Sequence, residues 1–138
     1  MSTAFEATAV VPESGVRPGF NQTGSTIATK LFVKSTTTTT GEGAGIMLPA
    51  ADTDPTVGVT MAAIATAARG DIQTAGIALV TASEAIAEGA EVSHGSDGKA
   101  KTAASGDYID GVAKMACSAD GDVIPVELVG PNSGRVKA

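Results

Sequence analysis

His94 is the single histidine of the 138-residue chain and lies in EGAEVSHGSDGKAKTA (residues 88–103), a stretch rich in Gly, Ser and Asp. Such a composition suggests nucleophilic catalysis, in which a packed carboxylate orients a histidine and the histidine activates a hydroxyl. The glycines and small polar residues around His94 instead predict a mobile, solvated loop, which would not hold that geometry. We therefore expect no catalytic residue here and no enzyme activity.

Residues that bind metals are also poorly placed. His94 and Cys117, the single cysteine, leave only carboxylates to complete a zinc shell, and none of the known ligand spacings is present. An oxygen-only calcium site among Asp52, Asp54 and Asp71 stays open, although the chain lacks an EF-hand loop pattern. Cys117 cannot form an internal disulfide and is expected to pack as a small apolar group. We predict no metal and no other cofactor.

Two short motifs suggest alternative functions. Arg69-Gly70-Asp71 is the tripeptide that cell-surface adhesion receptors bind, and a hairpin tip would display it. VAKMAC (residues 112–117) is similar to the Ala-Met-Lys-Met hairpin of biotin carrier domains, with Lys114 as the residue to be modified. However, Ala113 replaces the first methionine, and Lys114 falls inside a predicted strand rather than at a tip. An adhesion module and a biotinyl- or lipoyl-like carrier domain are kept as alternatives.

The elements that position these residues are predicted to be strands. Val and Ile number 21 against four Leu, and 17 Thr add β-branched side chains that suit the pleated surface of a sheet. Seventeen Gly and six Pro supply turns between many short strands. Leu, Ile, Val and Phe together make up only about a fifth of the chain. An all-β fold that gains stability by burying surface in a homo-oligomer is therefore expected.

The distribution of charge argues against nucleic acid as a partner. The net charge is −6, and residues 35–98 carry eight acidic side chains and one basic one, so this surface repels phosphates. No run of 18 apolar residues is present, and the N-terminus lacks the basic start and apolar stretch of a secretory signal. We expect no nucleic-acid binding, no association with a membrane, and synthesis in a cytoplasm.

Residues 1–34 differ in pattern from the rest of the chain. Pro12, Pro18 and several Gly interrupt isolated apolar residues, and no strand or helix period is sustained. This pattern predicts an extended N-terminal arm that becomes ordered on a partner, followed by a β domain over residues 35–138. The residues predicted to anchor the arm are apolar: Phe5, Val10, Val11, Phe20 and Phe32.

The β domain contains an internal repeat. Residues 55–80 align with residues 107–130, so that Gly58-Val59 matches Gly111-Val112 and Gly70-Asp71-Ile72 matches Gly121-Asp122-Val123. Each copy has an apolar segment, a polar turn ending in Gly-Asp and a second apolar segment, the pattern of a β-hairpin. Two similar β units predict a compact antiparallel β-barrel or β-tulip-like domain with few exposed edges. TMAAIATAAR, which could also form a short helix, is assigned to the first hairpin.

With this repeat, the chain resembles the capsid cement, or head decoration, proteins of bacteriophages. The resemblance covers about residues 41–130 and rests on GIMLPAADTDPTVGVT, GDIQTAGIALVTASEAIAEGAEVSHGSDGKAKTA and YIDGVAKMACSADGDVIPVEL. It includes the Asp97-Gly98-Lys99-Ala100 turn. The resemblance implies a structural virion protein on the outer capsid surface that stabilises contacts between major capsid subunits. The implied partner is the major capsid protein, with a homotrimer favoured over a dimer, and the arm would contact the capsid or a neighbouring protomer.

Overall fold

A computed structural model describes residues 15–36, 45–129 and 135–138 of the chain. These ranges form ten strands and contain no helix, which confirms the all-β prediction, and they offer no candidate for a membrane-spanning helix. In chain order the strands are β1 (Val16–Asn21), β2 (Phe32–Ser35), β3 (Gly45–Met47), β4 (Gly58–Thr60), β5 (Arg69–Gln73), β6 (Ile77–Thr81), β7 (Glu91–His94), β8 (Ala100–Thr102), β9 (Gly111–Ala113) and β10 (Val123–Leu128).

The first five strands form a closed barrel in the order β1-β3-β2-β4-β5. β1 pairs antiparallel with β5, and a parallel pairing of β1 with β3 closes the barrel, with Phe20 opposite Gly45. β4 packs closely on β5, because a Cβ on Gly58 would lie 2.4 Å from the carbonyl oxygen of Gln73. We call this barrel the first unit.

The last five strands, the second unit, repeat the arrangement of the first. Their order is β6-β10-β9-β7-β8, which is the same cyclic order when β6 to β10 are matched with β1 to β5. The closing parallel pair is reduced here to one bridge, Ala82 with Ala100. The predicted repeat of two β units is thereby confirmed, and both hairpins that the alignment indicated, β4–β5 and β9–β10, are antiparallel pairs.

Local details of the two units also correspond. A Cβ on Gly111 would lie 2.3 Å from the carbonyl oxygen of Glu127, as one on Gly58 would approach its partner strand in the first unit. The two units also share a pair of antiparallel bridges at matching places: Ile27 with Ile64, and Ile86 with Cys117.

The β7–β8 turn has the predicted position. The Asp97 carboxylate accepts a hydrogen bond from the Lys99 backbone N–H at 3.0 Å, and Gly98 has a φ of +78°, which glycine adopts without a Cβ clash. The turn packs on the first unit, where the Phe32 backbone N–H donates to the Gly98 carbonyl at 2.8 Å.

Two clusters of buried side chains make up the core. One fills the first unit and consists of Ile27, Val33, Ile46, Val57, Ile64 and Ile72. The other fills the second unit but includes Phe32 and Val59 of the first, so the two units share a core. Each fully buried Val or Ile contributes about 1.5–3 kcal/mol, so this junction is a substantial part of the fold's stability.

Part of the predicted arm belongs to this core, which corrects its boundary at residue 34. Phe32 is 1% exposed in the core, and Phe20 is half-buried in β1. β1 can be a strand despite its glycine because Gly19 leaves room for Ile46 and Ile72, whose side chains would otherwise lie about 3 Å from a Cβ. The other predicted anchors, Phe5, Val10 and Val11, lie outside the described residues.

Candidate functional site

His94 is buried, so its predicted place on a solvated loop is wrong. It is the last residue of β7, and its side chain is inaccessible to solvent. Nδ1 lies 2.7 Å from Oδ2 of Asp110, and Nε2 lies 3.1 Å from the carbonyl oxygen of Ala51. The ring centroid lies 6.3 Å from that of Phe32 and 6.4 Å from that of Tyr108. Both ring nitrogens therefore have partners within the protein.

Asp110 extends this polar network to a third residue. Its side chain is 1% exposed, and Oδ1 accepts a hydrogen bond from the hydroxyl of Thr56. Thr56 and Ala51 precede β4 in the first unit, whereas His94 and Asp110 belong to the second. The network therefore links the two units through buried hydrogen bonds.

The geometry favours a retained proton on the pair of His94 and Asp110. A carbonyl oxygen can only accept a hydrogen bond, so Nε2 must carry the hydrogen that points at Ala51. Burial lowers the pKa of His94, but the hydrogen bond and charge of Asp110 outweigh burial and leave that pKa above its ordinary value. Burial also raises the pKa of the Asp110 carboxyl. Both shifts mean that the pair of His94 and Asp110 retains its proton as the pH rises above the ordinary pKa values of the two groups.

This network lacks the geometry of a catalytic site. A general base needs a free nitrogen within hydrogen-bond reach of a reacting group. The Thr56 hydroxyl bonds to Asp110 rather than to His94, and the Ser93 hydroxyl donates to the carbonyl of Asp52 at 3.4 Å. The ring has no open side for a substrate, and the network serves to join the two units.

A second polar cluster holds the loop between β3 and β4 against the second unit. Lys101 of β8 contacts the carboxylate of Asp52 and lies 3.2 Å from that of Asp107. The hydrogen bond to Lys101 lowers the pKa of Asp52, and the same bond raises the pKa of Lys101. The Asp52 carbonyl accepts a further bond from the Tyr108 backbone N–H at 3.0 Å. The loop is thus fixed by both side-chain and backbone contacts.

The three acidic residues considered for calcium do not come together. Asp52 pairs with Lys101, whereas Asp54 lies 3.0 Å from Lys34 and accepts backbone hydrogen bonds at the start of its own turn. Asp71 lies in β5. Across residues 15–36, 45–129 and 135–138, no group of three or more His, Cys, Asp or Glu is placed to hold a metal ion.

The two short motifs occupy strands or strand ends. Arg69-Gly70-Asp71 begins β5 instead of forming a hairpin tip, which corrects that expectation. Gly70 packs on the barrel interior, since a Cβ there would lie 2.4 Å from Cγ1 of Ile64. Lys114 follows β9 directly, its backbone N–H donates to the Pro125 carbonyl, and Nζ lies 3.2 Å from the Glu127 carboxylate. It therefore lies along a strand pair, away from the tip that a carrier lysine occupies.

The second unit has an exposed apolar surface on β6 and β10. Ile77 and Leu79 alternate with buried residues along β6 and are 56% and 53% exposed. The antiparallel register places Leu79 opposite Pro125 and Thr81 opposite Val123, which is 47% exposed. Clustered exposed apolar side chains on a small domain indicate an interaction site. We call Ile77, Leu79, Val123 and Pro125 the apolar face.

Comparison with known proteins identifies relatives of this fold. Residues 20–128 match the model of a family described as phage cement protein. The crystal structure of the head fiber gp8.5 N base in bacteriophage phi29 superposes with a TM-score of 0.66, covering 82% of this chain and 92% of that chain at 14% sequence identity. At that identity the similarity concerns the fold. No curated protein matches the sequence.

Proposed function

The chain belongs to the phage cement protein family, and we propose that it binds the outer surface of a phage head and stabilises contacts between major capsid subunits. Its place among phage structural, capsid-associated proteins rests on the family match, which spans nearly all of the described fold. The match over residues 20–128 is the observation that carries the proposal.

The apolar face supplies a surface for such binding. A protein that reinforces a shell needs many copies and a complementary surface rather than a reactive group. Ile77, Leu79 and Val123 are each about half exposed, whereas the neighbouring residues of the same strands are buried. Burying this face on a capsid subunit would remove apolar area from water and stabilise the complex by about 25 cal/mol per Å² before the costs of association.

The segment before Gly15 is the second proposed contact. Phe5, Val10 and Val11 would contact the capsid or a neighbouring protomer, in a homotrimer rather than a dimer. Phe20, half-buried in β1, could add only the exposed part of its ring, and Phe32 leaves this set because its side chain is in the core.

Co-sedimentation with heads that lack the protein tests the proposal. Purified wild-type protein should pellet with undecorated heads and raise the temperature at which they release DNA. The Leu79→Ser variant should bind at least about fivefold more weakly, since a central anchor residue contributes about 1 kcal/mol or more. Met61→Ser is the matched control, because Met61 is equally apolar and 50% exposed but lies in the first unit.

Each outcome has a distinct meaning. Failure of the wild-type protein to pellet with heads would contradict the proposed function. Equal binding by the Leu79→Ser and Met61→Ser variants would show that the apolar face does not take part in head binding. Full binding after deletion of residues 1–14 would show that the N-terminal segment does not contact the head.

A further inference from the structure

The described fold begins beside the apolar face. Gly15 is the first described residue, and its carbonyl oxygen accepts a hydrogen bond from the Thr74 backbone N–H at 2.7 Å. A Cβ on Gly15 would lie 3.3 Å from that of Ala75. Ala75 is two residues before Ile77, the first residue of the apolar face. Residues 1–14 are therefore tethered next to one end of this face.

The composition and length of residues 1–14 suit the face. The segment MSTAFEATAVVPES carries Phe5, Val10 and Val11 among alanines and threonines, with only two acidic side chains. A fully extended chain covers about 3.3 Å per residue, so fourteen residues reach about 46 Å, whereas the five residues of β6 span about 17 Å. Val11 is as far along the chain from Gly15 as Leu79 is from Ala75, and Val10 is one residue farther. The segment can cover the whole face.

The edge of β6 favours packing on the face over extension of the sheet. Among the described residues β6 pairs with β10 alone, but its other edge is partly occupied. The Gln73 side chain donates to the Ile77 carbonyl at 2.9 Å, and the Thr81 backbone N–H donates to the Lys30 carbonyl at 2.9 Å. An added strand would have to displace these bonds, whereas side chains can pack on the outward face without disturbing them.

We propose that in the free protein residues 4–12 lie across the apolar face of the same chain, with Phe5, Val10 and Val11 against Ile77, Leu79 and Val123. The tether at Gly15 gives the segment an effective concentration in the millimolar range, so it competes well against a segment from another copy. This inference goes beyond the proposed function. It means that the face and the segment become available together when the protein binds a head, and that free protein keeps its apolar face covered.

A spin label near the N-terminus tests this arrangement in solution. The variant combines Ser2→Cys with Cys117→Ser, so that the nitroxide is attached at position 2 alone. Methyl spectra should show a loss of intensity for Ile77, Leu79 and Val123 that disappears when the label is reduced. The Met61 methyl, which is similarly exposed in the first unit, should keep its intensity and serves as the control. A further substitution, Leu79→Ser, should weaken the effect at Ile77 and Val123.

A mixed sample identifies the chain that provides the segment. Isotope-labelled protein without a spin label and spin-labelled protein at natural isotope abundance are unfolded together in urea and refolded, so that any oligomer contains both kinds of chain. The proposal requires that the methyl signals of the apolar face keep their intensity in this sample. Loss of intensity here would show that a second copy covers the face, and no loss in either sample would show that the segment lies elsewhere. Either result overturns the proposal. Because no heads are present, such a failure says nothing against head binding.

Discussion

Replacing Asp110 tests whether the buried network joins the two units as described. In Asp110→Ala, Nδ1 of His94 and the Thr56 hydroxyl both lose their buried partner, while the Nε2 bond to Ala51 persists. The perturbation is confined to the centre of the junction. Asp120→Ala is the matched control, because Asp120 also pairs with a cation, Lys99, but its side chain is 66% exposed.

The structure sets the expected size of the effect. Removing one partner of a buried ion pair destabilises a protein by about 3–5 kcal/mol, because the remaining charge is left uncompensated. His94 can lose its proton in the variant, which brings the expected loss to the lower end, about 3 kcal/mol. Asp110→Asn keeps a hydrogen-bonding group at both positions and should cost about 1–2 kcal/mol. The control should change the free energy of unfolding by less than about 0.5 kcal/mol.

Urea denaturation at constant pH, followed by circular dichroism, measures these differences. The slope with urea should stay constant if each variant unfolds in one transition, so that the shift in midpoint gives the loss of stability. A loss for Asp110→Ala no greater than that for Asp120→Ala would refute the assignment of the junction to this network. A separate early transition would instead show that the two units unfold independently.

Further predictions concern pH and close packing. Because the pKa of His94 is raised in the folded protein, the contribution of His94 to stability is complete below about pH 6.5 and should be lost as the pH rises through the raised value. In a His94→Gln variant, the free energy of unfolding should therefore depend less on pH over this range. The hydrogen bond from the Ala50 backbone N–H, followed by the one from Lys34, lowers the pKa of Asp54 in the folded protein. The contribution of Asp54 to stability is therefore present above about pH 3.8 and should decline as the pH falls through the lowered value. Over that range, the denaturation midpoint of Asp54→Asn should change less than that of the wild-type protein. Gly111→Ala should destabilise the fold by about 1–3 kcal/mol in thermal unfolding, because the new Cβ would meet the Glu127 carbonyl. Gly24→Ala is the control and should change stability little, because the space around Gly24 is open. Equal effects of the two substitutions would contradict the close approach of β9 and β10.

Local sequence patterns predicted much of the fold. The abundance of β-branched residues predicted strands, and the recurrence of Gly-Val predicted the two hairpins that the structure contains. The match of the two Gly-Asp pairs was wrong, because Gly70-Asp71 lies within β5 whereas Gly121-Asp122 lies in the turn before β10. The turn after His94 was also predictable, because Asp97 and Gly98 each have a local reason to be there. These features depend on neighbours in the chain, and their signal is therefore present in a short stretch of sequence.

The missed features depend on residues far apart in the chain. His94 and Asp110 are separated by 16 positions, and Thr56 and Asp110 by 54, so no spacing indicated that these residues meet in the core. β1 was missed because Pro18 and Gly19 weaken a strand pattern. Pro18 is tolerated since β3 pairs with β1 only at Phe20 and Asn21. Gly19 is favoured because side chains from other strands occupy the space beside it.

The shared core gives the molecule a mechanical property. Only three residues, 74–76, connect the units along the chain, but Phe32 is packed in the second cluster and Lys101 holds the loop that contains Asp52. A load applied at the apolar face therefore passes into the barrel through packed side chains and ion pairs, without bending at a hinge. If the protein binds a phage head as proposed above, such a body would act as a stiff brace between the points at which it is attached.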